Sequence, residues 1–169
     1  MAMDAKDLKQ FGDFSRQRTL DFIETLRKSG RADEALSFRP GPGRAHIGWQ
    51  LMHLAATDQR FLYLRFKGSE VPDKQLNDGF AHGSVPADVA PSLGEIVERL
   101  AEHRQSLWNF VDTLTADRLG TIPPAAPGAP AGPQRTFAEW LMLLGWHEGH
   151  HHGQAHITYN IFKAACGIT

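Results

Sequence analysis

Apolar residues along this chain recur mostly at spacings of three and four, the period that places one face of a helix against a core. From Asp4 to Lys28 the stripe is Leu8, Phe11, Phe14, Leu20, Phe22, Ile23 and Leu26, with Ser29-Gly30 as the stop; this predicts a first helix. Ala45 to Phe66 is periodic again, apolar almost all round, and closes at Lys67-Gly68, where glycine suits the left-handed position past a helix end. Ser92-Leu-Gly-Glu95 reads as a capping box that opens a third helix, running to about Leu114 on the stripe Ile96, Leu100, His103, Leu107, Phe110 and Leu114. A second capping box, Thr136-Phe-Ala-Glu139, opens a fourth helix that runs to about Ala165.

The segments between these helices carry the breakers. Residues 31–45 hold Pro40-Gly41-Pro42-Gly43 and read as a loop, because proline fixes φ and removes a donor. Residues 69–91 lack sustained period and hold Pro72, Gly79, Gly83, Pro86 and Pro91. Antiparallel neighbours usually need only about 2–8 connecting residues, so this stretch is expected to cross the length of a bundle. Residues 121–135 contain five prolines and two glycines and read as a stiff, solvated connector. The predicted fold class is all-α, a four-helix bundle with crossover connections, in one domain over residues 1–169.

Composition narrows the picture without changing it. With 169 residues and 41 % hydrophobic content the chain buries a full core without staples. Its single cysteine, Cys166, rules out an internal disulfide or a cysteine-built zinc site and suits a reducing cytoplasm. A formal charge of −1 with mixed signs argues against nucleic acid or an anionic membrane as partner. The N-terminus is polar and no apolar run approaches the roughly 18 residues of a membrane span, so a soluble, unsecreted protein is expected.

The histidines do change the picture, since five of nine fall between His147 and His156. At about 100° per residue, His147 and His151 share the apolar stripe of the fourth helix with Trp140, Leu143, Leu144, Gln154 and Thr158. His150 sits at the stripe's edge, and His152 and His156 turn away, so these three are expected at the rim or in solvent. Two imidazoles at i and i+4 project from adjacent turns, the spacing that lets both donate to one metal ion. On the second helix His53 shares a stripe with Trp49, Ala56, Thr57 and Leu64 and faces inward, whereas His46 is expected to be an exposed first-turn residue. His103 is a rival ligand, better read as a packing histidine. Glu148 falls at the edge of the His147 stripe, leaving no evident carboxylate base beside the site. Gly145, Gly149 and Gly153 form a row that suggests close approach of another helix, or a dimer contact.

Trp49-Gln-Leu-Met-His53, followed by His147-Glu-Gly-His-His151-His-Gly153-Gln154, resembles the DinB/YfiT-like superfamily, marked by one histidine on helix two and His-x-x-x-His before an Arg-Gly-Gln-like segment on helix four. The resemblance covers nearly the whole chain. It implies an up-down-down-up bundle, often dimeric, in which His53, His147 and His151 hold zinc, nickel or a related divalent ion. His152 stands where such proteins usually have arginine. A metal-dependent S-transferase acting with a low-molecular-weight thiol on a small electrophile is the function so implied; a hydrolase and a non-catalytic metal- or ligand-binding stress protein are the alternatives. Trp49, Gln50, Thr57 and Gln154 are the expected substrate-pocket residues.

Overall fold

The computed structural model describes residues 4–124 and 133–168, which form helices and connections with no strand among the described residues. Helix α1 spans Ala5–Lys28 and opens on a capping box between Asp4 and Asp7. The expected loop at 31–45 contains a short helix α2, Ala32–Ser37, in the space between Gly30 and the Pro40-Gly43 run. Helix α3, Ile47–Arg60, passes directly into a π-helical turn, Phe61–Lys67. Gly68 ends it at φ 62°, the left-handed conformation that its lack of a Cβ permits. Two further short helices are α4 (Lys74–Phe80), inside the stretch 69–91 that Pro and Gly mark as loop, and α6 (Ala116–Leu119), between the predicted end of the third helix and the Pro-rich connector.

Helix α5 runs from Leu93 to Val111, three residues short of the predicted end. Its expected capping box is half made: Ser92 accepts from the Glu95 N–H, with no reciprocal Glu95 bond. Helix α7, Phe137–Ala165, starts on the complete Thr136–Glu139 box. Of the Pro-rich connector, residues 125–132 lie outside the described residues; its ends meet where Phe137 N–H donates to the Thr121 carbonyl at 3.0 Å. Among the described residues no helix is long and apolar enough to cross a membrane.

Helix α1 packs chiefly on α7, and α3 on both α5 and α7. Gly145 is what lets α1 approach: a Cβ there would lie 2.5 Å from Phe11 Cε1, whereas Gly149 and Gly153 meet nothing within 4 Å. The core falls into two apolar clusters. One joins Phe22, Ile23 and Leu26 to Leu51, Leu54, Ile96, Leu100, Ala155 and Phe162. The other joins Leu8 to Leu62, Phe66, Leu107, Val111, Phe137 and Leu144.

Between them lies a buried ionic layer contributed by all four long helices. Arg16 of α1 donates through Nε to Glu148 Oε1 at 2.5 Å and through Nη2 to Asp58 Oδ2 at 3.0 Å. Arg104 of α5 donates to both Asp58 oxygens, at 2.9 and 3.0 Å, and to Glu148 Oε2 at 2.6 Å. The remaining guanidinium donors reach the Leu100 and Gly12 carbonyls. Burial opposes ionisation of Asp58, but the Arg104 and Arg16 charges outweigh it and hold its carboxyl below the usual range. Glu148 is therefore not at the edge of the histidine stripe as expected. It is 1 % exposed and committed to this layer.

Candidate metal centre

Helix α3 contributes His53 and helix α7 contributes His147 and His151, and the structure brings one nitrogen of each within 4.8 Å of the others. His53 Nε2 and His147 Nε2 are 3.2 Å apart, and the three rings have centroids 4.5 to 5.1 Å from one another. The i and i+4 placement on α7 is what stacks the last two.

Second contacts decide which nitrogens are free. His53 Nδ1–H donates to the Phe80 carbonyl at 2.6 Å, which leaves its Nε2 bare. His151 Nδ1–H donates to Gln50 Oε1, which leaves that Nε2 bare as well. His147 Nδ1 is buried without a partner. By elimination the His147 proton sits on Nε2 and donates to His53 when nothing else lies between them, and binding a metal there requires it to move to Nδ1.

Burial keeps all three imidazoles neutral. It pushes His147 down to about 4, with His53 and His150 adding repulsion, and His151 down to about 3, with His53 and His147 adding theirs. His53 is lowered by the same burial, opposed by its bond to Phe80. Neutral imidazole is the form that ligates, and holding the distal N–H on an acceptor fixes its tautomer and orientation. The donor set therefore fits a divalent ion with nitrogen preference and could hold one.

The connection between α3 and α5 builds the wall behind His53. Trp49 stacks on the His53 ring at 4.8 Å and 10°, and its Nε1–H donates to Ser84 Oγ at 3.1 Å. His46, expected to be exposed, is 1 % exposed. Its Nδ1 accepts the Trp49 N–H, capping α3, while Nε2–H donates to the Ala87 carbonyl at 3.0 Å. This corrects the reading of His46 as a surface residue: a loop folds back over the helix start, which helical periodicity does not report.

The three histidines open into a pocket of about 670 Å³, lined also by Trp49, Thr57, Gln154, Arg60, Phe61 and Trp140 among others. Gln50 faces a neighbouring pocket of about 540 Å³, and Gln154 borders both. His150 is exposed at the rim, bonded to Gln154 at 2.8 Å. His152 and His156 are not solvated as expected: both pack on Phe22 of α1, with ring centroids 5.9 and 4.4 Å away. His103 is buried on α5 and does not join the cluster. Sequence reasoning missed Arg60 and Arg65: Arg60, seven residues past His53, continues its stripe, whereas Arg65 falls off that stripe at a fixed 100° step and lies in the π turn.

An all-helical chain with a partly buried three-histidine cluster at the foot of a largely apolar pocket is the class of protein these observations define. A family model described as the DinB superfamily matches residues 12–155, and the chain belongs to that superfamily. No curated protein matches the chain closely enough to indicate kinship.

Proposed function

We propose that His53, His147 and His151 hold one divalent ion, zinc or nickel, and that the protein transfers a small thiol to an electrophilic substrate seated in the adjoining pocket. The observation that carries this reading is the convergence of three neutral imidazoles, two of them, His53 and His151, with tautomers set by Phe80 and Gln50. When bound by three protein nitrogens, such an ion keeps a coordination position for an exogenous ligand and brings a thiol's deprotonation into the neutral range. Trp49, Phe61 and Trp140 would hold the electrophile and exclude water. The thiol proton leaves to solvent, the sulfur pair forms the new carbon–sulfur bond, and the leaving group departs with the pair of the bond that breaks.

No aspartate or glutamate is among the described residues lining the pocket, and Glu148 is tied to Arg16 and Arg104. That favours thiol transfer over hydrolysis, which would call for a base to activate water. The long helices are proposed to run up-down-down-up, supported by the packing of α1 on α7 and of α3 on α5 and α7.

The test is to incubate metal-loaded protein with a panel of thiols and a chromogenic electrophile, with His147→Ala as control. A thiol-dependent rate well above that control is expected. A response to esters or amides instead makes the protein a hydrolase, and silence in both panels makes it a non-catalytic metal-binding protein.

A further inference from the structure

Arg60 is the last residue of α3 and Arg65 lies in the π turn that follows, so the helix that supplies His53 carries both guanidiniums to the same pocket. π-Helical turns are rare and are frequently found at functional sites. Here the turn accompanies the presence of Phe61, Leu64 and Arg65 on one pocket wall. Arg65 lies over the Trp140 ring at 4.8 Å, which stacks its guanidinium against that wall.

The two arginines differ from Arg16 and Arg104 in what they meet. Arg16 and Arg104 are saturated by Asp58 and Glu148. Neither Arg60 nor Arg65 forms an ion pair with a carboxylate among the described residues. Arg60 is partly buried, and its side chain donates to a neutral acceptor, Asn77 Oδ1, at 3.2 Å. Asp78 draws on Arg60 only from a distance; it is exposed, and its Oδ1 accepts from Asn77 at 2.8 Å. A guanidinium has five N–H donors and cannot shed its charge, so the partial burial of Arg60 without an anion is unfavourable unless a ligand supplies one, while Arg65 is exposed and free to reach the same ligand.

The rest of the lining agrees. It contains His82 and His150 at the rim, no acid among the described residues, and an apolar surface from Trp49, Phe61, Leu64, Trp140, Leu143 and Trp146. We infer that this pocket takes a small organic oxyanion, a carboxylate or phosphate ester with a flat apolar body, whose charged end is held by Arg60 and Arg65 while the body lies along the tryptophans. This rests on the reading of the pocket as the substrate site, and names the class of molecule that site selects.

The test is titration with four matched ligands that share a naphthyl body: a carboxylate, a phosphate, a carboxamide and an amine. Binding is followed by tryptophan fluorescence and calorimetry on the full chain, as purified and after chelation, so that a carboxylate–metal bond does not stand in for the arginines. The carboxylate or the phosphate is expected to bind at least tenfold more tightly than the amide in both preparations, and the amine not at all. Arg60→Gln and Arg65→Gln should each weaken the anion roughly ten- to a hundredfold, the range of one charged hydrogen-bonding partner, and leave the amide unchanged. The preferred anion identifies which of the two headgroups is used. Equal binding of amide and anion, no binding of any ligand, or unchanged anion affinity in both variants would overturn the inference. Arginine-dependent anion binding without thiol turnover would sink the transferase reading alone. Turnover of neutral electrophiles that ignores Arg60→Gln would sink the anion inference alone.

Discussion

The same two helices carry two polar clusters of opposite kind, one buried and one partly buried beside a pocket. Helix α3 supplies His53 and, five residues on, Asp58; helix α7 supplies His147 and, next to it, Glu148. Around Asp58 and Glu148 every charge finds its opposite, with two guanidiniums and two carboxylates cross-bonded at 2.5 to 3.0 Å and the spare donors taken by backbone carbonyls. Around His53 three groups of the same kind converge, one nitrogen is orphaned, and the open side is a pocket. The difference separates structure from function. A buried cluster that satisfies itself needs nothing more and serves to register the helices. One made of like nitrogen donors is left incomplete and could hold a cation.

The comparison is broken first by removing a charge from the saturated layer. Arg104→Leu leaves Asp58 and Glu148 short of a counter-ion and should cost about 3–5 kcal/mol of unfolding free energy by urea titration. A loss below about 1 kcal/mol would mean that this layer is not what holds the helices in register. Loss of metal comes next. At a thousandfold excess over Kd a bound ion contributes about 4 kcal/mol, so His53→Ala should forfeit that increment in metal-loaded protein. Its metal-free stability should differ from the parent's by only about 1 kcal/mol, one modest hydrogen bond. Equal destabilisation with and without metal would make His53 a core residue and no ligand. A smaller effect is expected from Gln50→Ala, which frees the His151 ring; ion affinity should fall roughly ten- to a hundredfold at unchanged stoichiometry.

A further effect is in pH. The folded values of His147 and His151 lie below the usual 6.5, at about 4 and 3, so the unfolded chain binds more protons throughout that window. Stability of the metal-free protein is therefore whole above about 6.5 and declines as pH falls toward 4 and 3. Asp58, whose folded value lies below its usual 3.8, adds its own loss only under that pH. Thermal melts of chelated protein across pH 7 to 3 should show the early decline in the parent and a shallower one in His147→Leu. An identical decline in both would place its origin elsewhere.

The histidine cluster was legible in the sequence because it follows from helical periodicity alone: i and i+4 on one helix, one inward residue on another. The ionic layer was not, because an angle on a wheel does not say what faces it. Glu148 is turned from the pocket toward α1 and α5, and only their charged residues Arg16 and Arg104, on the faces those helices bury, could have signalled a partner inside. His46, His152 and His156 were misplaced for the same reason. A returning loop covers the first, and Phe22 of α1 covers the other two. The Phe80 carbonyl that fixes His53 is backbone, with no side-chain signal to read. The π turn follows a change of period that a fixed 100° step cannot register.

The most direct test of the account is metal content. Untagged protein, its His53→Ala, His147→Ala and His151→Ala variants and the control His103→Ala should be loaded with zinc or nickel, dialysed, and measured for ion per chain. One ion per chain in the parent and in His103→Ala, with loss in each of the other three, is the predicted result. Full occupancy in any of those three, or loss in His103→Ala alone, would contradict the assignment of the open cluster as the metal site.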